Sequence, residues 1–476
     1  MQRVPIDRVR PPPHSAIAVW VAGLATLVCV AACSQSTTAG PSPSPIARSQ
    51  TLTGVLSGAP YRVDIPDHWN GTLLLYNHGT IVPPPTRRQP LITPVTAFSA
   101  TEAKWLLGRG YALAGSAFGN PLGWAVLDAL RDDVALLNFV DQTVGHPRRV
   151  VLWGDSQGGL DVALLLEQHR DLFAGGLALC PLLGGGIDYF NHDLDMFYSL
   201  DVLLAPGRII HSGAPTRAGI DSSSADLIIG TAQPTAAGRA RLALVAALQG
   251  FPGWFDVSTP RPAAGDWDGM EAEQLEWIRF ALGTSFRQDV EHRAGGNPSS
   301  NLGVDYAAMV HASPLLPEVQ ALYAAAGLDL AADLHRLNSA PRIGADPQAV
   351  AYMQSNGVAG GGLRLPLATL HTTADGRVIP GNVTAYAGAV GDHGDPSMLT
   401  QMYVDRPGHC ALTDAEVLAA LQVVLTRLDS GKWPSRSPAT VDANARAFGT
   451  AYATGPFVHV RQEPAFVSFE PPPLPR

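Results

Sequence analysis

The chain has 476 residues, with 41 Asp and Glu against 32 Lys and Arg, for a formal charge of −9. No basic run supports nucleic acid or an anionic membrane surface as a partner, and the length suits a core with a large insertion better than one simple domain. The fourteen His are scattered, and no H-E-x-x-H, C-x-x-C or G-x-G-x-x-G stands in a suitable context, so no metal or cofactor is expected.

Residues 1–32 read as an export signal. Arg3, Arg8 and Arg10 precede an apolar run over 15–30, closed by Ala31 and Ala32. Val30-Ala31-Ala32-Cys33 resembles a bacterial lipobox. That resemblance implies that Cys33 is lipidated, becomes the new N-terminus, and anchors the protein to the outer face of the cell membrane. Simple secretion is the alternative. Residues 33–50, rich in Ser, Thr, Pro and Gly, read as a tether.

Residues 51–185 read as the first half of a core. The clearest early strands are 61–66 and 72–76, and Asn70-Gly71 between them predicts a hairpin turn. The second strand runs into Asn77-His78-Gly79-Thr80. A helix over 101–107 stops at Gly108 and Gly110, and 111–118 is the next buried strand. Leu127, Leu130, Val134 and Leu137 then define one apolar helix face.

The most informative stretch follows, RRVVLWGDSQGG at 148–159. Residues 150–153 form a short apolar strand, and Leu160, Ala163, Leu164 and Glu167 continue at helical spacing. Between them a sharp turn forces Ser156 into a strained backbone conformation. Gly154 and Gly158 have no Cβ to clash there, and Gly159 lets the helix approach the strand. A further strand over 173–183 continues the alternation, which implies a mostly parallel sheet covered on both faces.

WGDSQGG resembles the nucleophile elbow of the α/β-hydrolase superfamily of esterases, lipases and serine peptidases. The likeness extends in order over roughly residues 60–185 and 363–430 and leaves the middle uncovered. It implies an α/β fold of about eight strands, with Ser156 as nucleophile. The His-Gly at 78–79 resembles the family's oxyanion loop. The backbone N–H groups of Thr80 and Gln157 would then hold the oxyanion.

Residues 186–362 break the alternation. Helical patterns at 193–204, 236–248, 272–282, 317–325 and 347–354 predict an inserted helical cap. Among its aromatics, from Trp254 to Tyr323, most are expected to form the cap's own core and a few to wall an apolar acyl pocket. Residues 363–430 resume the core. A strand over 363–371 leads to Asp375, which resembles the family's orienting acid. Competing acids are Asp188, Asp392, Asp395 and Asp405, and His371 reads as a core histidine. After a last strand over 399–404, His409 stands where the family places its general base. Thr413 and Glu416 then form a capping box. The order Ser156, Asp375, His409 is the superfamily's order. Residues 431–476 form a tail without a functional reading.

The resemblance implies a cofactor-free serine hydrolase cleaving a carboxylic ester, with a small-molecule substrate that carries an apolar acyl group. A serine aminopeptidase or amidase of the same fold is the alternative. It would want a carboxylate pair in the cap to hold a substrate N-terminus; Glu271, Glu273 and Glu276 are there, but they sit on one helix and read as solvated. A non-catalytic lipid-anchored binding protein is a third reading. Four Cys are present. Signal removal takes Cys29 and lipidation takes Cys33, leaving Cys180 and Cys410 in an oxidising compartment. Cys180 ends the strand beside the elbow and Cys410 follows His409, so a disulfide between them is expected. Tannase-like members of the superfamily resemble this, although there the partner Cys directly precedes the nucleophile, where this chain has Asp155.

Overall fold

The computed structural model describes residues 49–83, 92–210 and 222–476. The expected signal, Cys33 and all but the end of the tether lie outside the described residues.

The core is one nine-stranded sheet in the order β1-β2-β4-β3-β5-β6-β7-β8-β9. The strands are β1 (Gln50–Leu56), β2 (Ala59–Ile65), β3 (Thr72–Asn77), β4 (Ala112–Ser116), β5 (Arg149–Asp155), β6 (Gly175–Leu179), β7 (Leu367–Ala374), β8 (Leu399–Pro407) and β9 (Phe466–Val467). From β4 to β8 all neighbours pair in parallel. β2 runs against β4, and β1 and β9 close the edges in antiparallel pairs. Every residue of β3, β4 and β6 is buried. That is the consequence of covering a parallel sheet on both faces. The helices α1 (Ala100–Leu107), α2 (Val126–Thr143) and α3 (Gln157–Gln168) provide the first half of that cover.

Two local expectations are corrected. Asn70-Gly71 is a turn but not a hairpin, because β4 lies between β2 and β3. Instead Asn70 accepts from Thr72 N–H through its side chain and donates to the Arg109 carbonyl, tying β3's start to the loop before β4. The two-residue hairpin is at Ser57-Gly58, both with positive φ (49° and 94°), between β1 and β2. The buried face of α2 runs through Leu130, Asp133, Leu137 and Val140 rather than through Leu127, which is exposed.

Nine helices among the described residues separate β6 from β7. They are α4 (Gly185–Leu204), α5 (Ser222–Ala232), α6 (Ala236–Gln249), α7 (Trp267–Gly283), α8 (Arg287–Ala294), α9 (Tyr306–Ala312), α10 (Leu316–Ala325), α11 (Leu330–Ser339) and α12 (Pro347–Asn356). Five of these overlap the helices expected from periodicity. α8 was missed because RQDVEHRA carries too few apolar residues to show a face. The cap has its own apolar cluster, which includes Trp277, Tyr306 and Tyr323. It does not separate from the core as a compact unit of its own. α13 (Gly381–His393), α14 (Asp414–Ser430) and α15 (Pro438–Arg446) complete the chain. The tail adds β9 to β8, then crosses to the cap, where Arg476 meets Asp195 at 2.9 Å.

One loop, residues 408–413, is held from three sides. Gly408 N–H donates to Ala374 O (3.1 Å), and Thr372 Oγ1 donates to Gly408 O (2.8 Å). Cys410 is disulfide-bonded to Cys180, with Cα atoms 5.2 Å apart at a sequence separation of 230. Arg406 spans the loop by donating to Ala411 O and pairs in fork geometry with Glu416 (2.6 and 2.9 Å). Glu416 also caps α14 by accepting from Thr413 N–H. Both charged partners are almost completely buried, at 3% and 0% side-chain exposure.

Removing one member of a buried, hydrogen-bonded ion pair strands the other charge, at a typical cost of about 3–5 kcal/mol. Arg406→Met should therefore destabilise the fold by that order in denaturant melts. A loss under about 1 kcal/mol would show the pair to be dispensable. Closing so long a loop is worth at most about 5 kcal/mol in the chain-entropy model, so Cys180→Ala/Cys410→Ala should unfold measurably earlier than the oxidised protein. Addition of reductant should abolish that difference, and an unchanged midpoint would contradict it.

Candidate active site

β5 runs into the turn that carries Ser156, and α3 starts at the next residue. Ser156 takes φ 53° and ψ −117°, a left-handed region that non-glycine residues rarely enter. The backbone is held there by the sheet. Ser156 N–H donates to Leu179 O (2.8 Å), and Ser156 O accepts from Gly159 (3.0 Å) and Leu182 (3.3 Å). The glycines leave room for close packing of β3 against the turn. A Cβ at Gly154 would lie 2.5 Å from Asn77 O, and one at Gly158 would overlap the same oxygen. Gly159 faces Pro181 at a distance no Cβ could keep (2.6 Å).

The held loop brings His409 over this turn. Ser156 Oγ lies 2.9 Å from His409 Nε2, although 253 residues separate them. His409 Nδ1 lies 2.7 Å from Asp375 Oδ2. The network assigns the proton on Nδ1 to the carboxylate bond, leaving Nε2 to accept from the serine. Asp375 follows β7 directly and is fully buried. Its other oxygen accepts from the N–H groups of Arg377 (2.8 Å) and Val378 (3.0 Å), which fixes the carboxylate. The competing acids are elsewhere. Asp188 is on α4, Asp392 is on α13, and Asp395 caps the turn before β8. Asp405 accepts from Thr373 and Arg261. His371 is buried in β7 with Nδ1 on Thr372 O (3.1 Å), and burial pushes its pKa down.

The loop after β3 faces the start of α3. Gly79 N–H is already donated to Asp155 Oδ1 (3.0 Å). The Thr80 N–H makes no hydrogen bond among the described residues, and Gln157 stands at the first position of α3, where N–H groups lack helical partners. With its amide oriented by the network, the Gln157 side chain donates to Thr80 Oγ1 and Gly123 O and accepts from Ala125 N–H. It thus ties this loop to the segment before α2.

Asp155, given no role in the sequence reading, buttresses this loop. It accepts from Tyr76 Oη and from Gly79 N–H. Burial pushes its carboxyl up, and the Tyr76 hydrogen bond pulls it partly back. A side chain at residue 79 would collide with it, since a Cβ there would lie 2.5 Å from Asp155 Oδ2. His78 stacks on Phe118 with ring centroids 4.3 Å apart. Burial beside the loop lowers its pKa.

A cavity of about 230 Å³ opens at Ser156 and His409. Its walls include Leu182, Tyr189, Phe280, Phe286, Arg377 and Phe457. Tyr189, Phe280 and Phe286 are therefore the cap aromatics that reach the site, and Phe457 comes from the tail. A larger cavity of about 510 Å³ lies behind Asp375, between cap and tail, and Ser156 does not line it. Glu271, Glu273 and Glu276 line neither cavity. They engage Gln233, Phe255 N–H and Arg279 instead. The one group of metal-type donors among the described residues is Cys180, His409 and Cys410. Both sulfurs are committed to the disulfide and the imidazole to Ser156 and Asp375.

No protein-family model matches the chain. An o-phthalyl amidase of Xanthobacter agilis is 29% identical over 439 residues, covering 85% of this chain and 93% of that protein. Among solved structures, an esterase from Aspergillus oryzae shares 13% identity at TM-score 0.39, over 81% of this chain and 80% of its own. A carboxyl esterase from Bacillus coagulans shares 12% at TM-score 0.34, over 76% and 91%. An acylaminoacyl peptidase from Pyrococcus horikoshii shares 11% at TM-score 0.33, and the match spans 76% of this chain but only 37% of that longer one. By its strand order the chain has the α/β-hydrolase fold, and a serine, a histidine and an aspartate are gathered at its strand ends.

Proposed function

We propose that the protein hydrolyses a carboxylic acyl bond through an acyl-enzyme on Ser156. The observation that carries this reading is the unbroken chain from Asp375 through His409 to Ser156 Oγ, at 2.7 and 2.9 Å. A serine hydroxyl is a poor nucleophile at neutral pH. His409 Nε2 takes its proton as Oγ attacks the carbonyl carbon. The carbonyl oxygen gains the negative charge and rests on the Gln157 and Thr80 N–H groups. Asp375 stays ionised, fixes the tautomer and stabilises the imidazolium. His409 then delivers the proton to the departing oxygen or nitrogen. A water molecule, deprotonated by His409, repeats the attack and frees the acid and Ser156.

The leaving group is the finer question. The relative named as an amidase covers most of both chains, which favours an amide over the carboxylic ester expected from the sequence. An ester of the same acyl group remains a faster-leaving substrate for the same machinery, because an alkoxide or phenoxide needs less help from the proton. An aminopeptidase reading loses its support, since the cap glutamates lie away from the site cavity.

Ser156→Ala should lower kcat by roughly 10⁶, and His409→Ala by a similar order. Asp375→Asn should cost about 10⁴ with the geometry intact. Steady-state assays on paired aryl anilides and p-nitrophenyl esters measure both the loss and the amide-to-ester preference. A Ser156→Ala protein that kept a tenth of wild-type turnover would end this reading.

We also propose export as a lipoprotein with Cys33 lipidated, supported by the N-terminal sequence and by the Cys180–Cys410 disulfide, a bond typical of oxidising compartments. Metabolic labelling with a palmitate analogue should mark the wild type and spare Cys33→Ala. Equal labelling of the two, or none of either, would contradict it.

A further inference from the structure

The cavity at Ser156 is walled mainly by apolar and aromatic side chains, among them Leu182, Tyr189, Phe280 and Phe286. One Lys or Arg enters its lining, and that is Arg377. An arginine in such a place needs a reason, because an aromatic pocket for a neutral acyl group would not call for a cation.

Arg377 is fixed from below. It stands two residues after Asp375, and its own N–H holds that carboxylate at 2.8 Å. Its guanidinium lies over the Tyr189 ring, 4.7 Å from the centroid, and donates to Thr284 O at 3.1 Å. A guanidinium has five N–H donors in a planar fork. Among the described residues this group makes that one hydrogen bond, with a side-chain exposure of 9%. Asp193 approaches only to 3.8 Å, beyond hydrogen-bond reach, and accepts instead from Ser285 Oγ at 3.1 Å. The neighbouring Arg287 has its own carboxylate partner in Glu291, at 2.9 Å. Asp193 thus steadies the charge of Arg377 without occupying its fork.

We propose that Arg377 binds an anionic group carried on an aromatic acyl moiety, so that the enzyme selects acyl groups bearing a carboxylate on the ring. The ring lies against the aromatic walls, where stacked or edge-on contacts add to its burial. The carboxylate meets the fork in bidentate geometry, which suits arginine and not lysine. The partly dry setting strengthens the pairing. The substrate class is then the mono-amide or mono-ester of an aromatic dicarboxylic acid. This inference rests on the acyl-enzyme reading above and deepens it.

The test compares anilides of benzoic acid with those of 2-, 3- and 4-carboxybenzoic acid. The wild type should favour at least one carboxylated acyl group by about 100-fold or more in kcat/KM, because a site built for a polar partner rejects the analogue lacking it. Arg377→Met should collapse that ratio toward one, with Arg377→Lys intermediate. A merely structural tie between the acid loop and the cap would lower all substrates alike and leave the ratio unchanged, and that result would overturn the proposal. Should Arg377→Met fail to fold, the wild type alone decides. Free benzene dicarboxylates should inhibit it competitively and benzamide should not, and the reverse order would also overturn the proposal. Turnover of p-nitrophenyl acetate, abolished in Ser156→Ala, reports the nucleophile alone. Its presence without any carboxylate preference sinks this inference and spares the acyl-enzyme, whereas its absence sinks both.

Discussion

The site depends on Ser156 being held at φ 53°, a backbone state that costs on the order of 1–3 kcal/mol for a residue with a side chain. Surrounding contacts must over-determine it. The Ser156 N–H is bound to β6, its carbonyl is shared among Gly159, Leu160 and Leu182, and the end of β3 presses against Gly154 and Gly158. Of the five non-glycine residues with positive φ among the described residues, three are Ser156, Cys180 and Cys410. Strain is therefore concentrated where the serine, its neighbouring strand and the histidine loop meet.

The remaining machinery is brought to that fixed point from distant parts of the sequence. His409 arrives on a loop that β7, the disulfide and Arg406 hold independently. Asp375 needs no long loop, because it follows β7 directly and β7 is the parallel partner of both β6 and β8. Asp155, next to Ser156 in the chain, ties the elbow to the loop that carries Gly79 and Thr80. The cap supplies Tyr189, Phe280 and Phe286 and the tail supplies Phe457, which together wall the chemistry with aromatic rings.

Much of this was legible in the sequence because local rules and the global fold agree along β5 and α3. A buried strand, a glycine-flanked serine and a helix leave few other solutions. The places of Asp375 and His409 were readable for the same reason, each standing just past a strand end. The Asn70-Gly71 hairpin was misread because turn chemistry says that the chain reverses, not which strand pairs next. β4 enters between β2 and β3 from more than thirty residues away. Arg377 carried no signal of its own. It was one residue of an acid loop, and its meaning comes from Thr284, Tyr189 and the cavity, which only the folded chain assembles. Arg406 was equally silent, because a buried ion pair across ten residues shows no periodicity.

The central claim is that Ser156 is the activated nucleophile. It is tested most directly by treating the full-length protein with a fluorophosphonate and mapping the adduct by peptide mass spectrometry. The account predicts one stoichiometric phosphonyl adduct, on the peptide containing Ser156. An adduct on another serine, or an unmodified Ser156 in protein that turns over substrate, would contradict it.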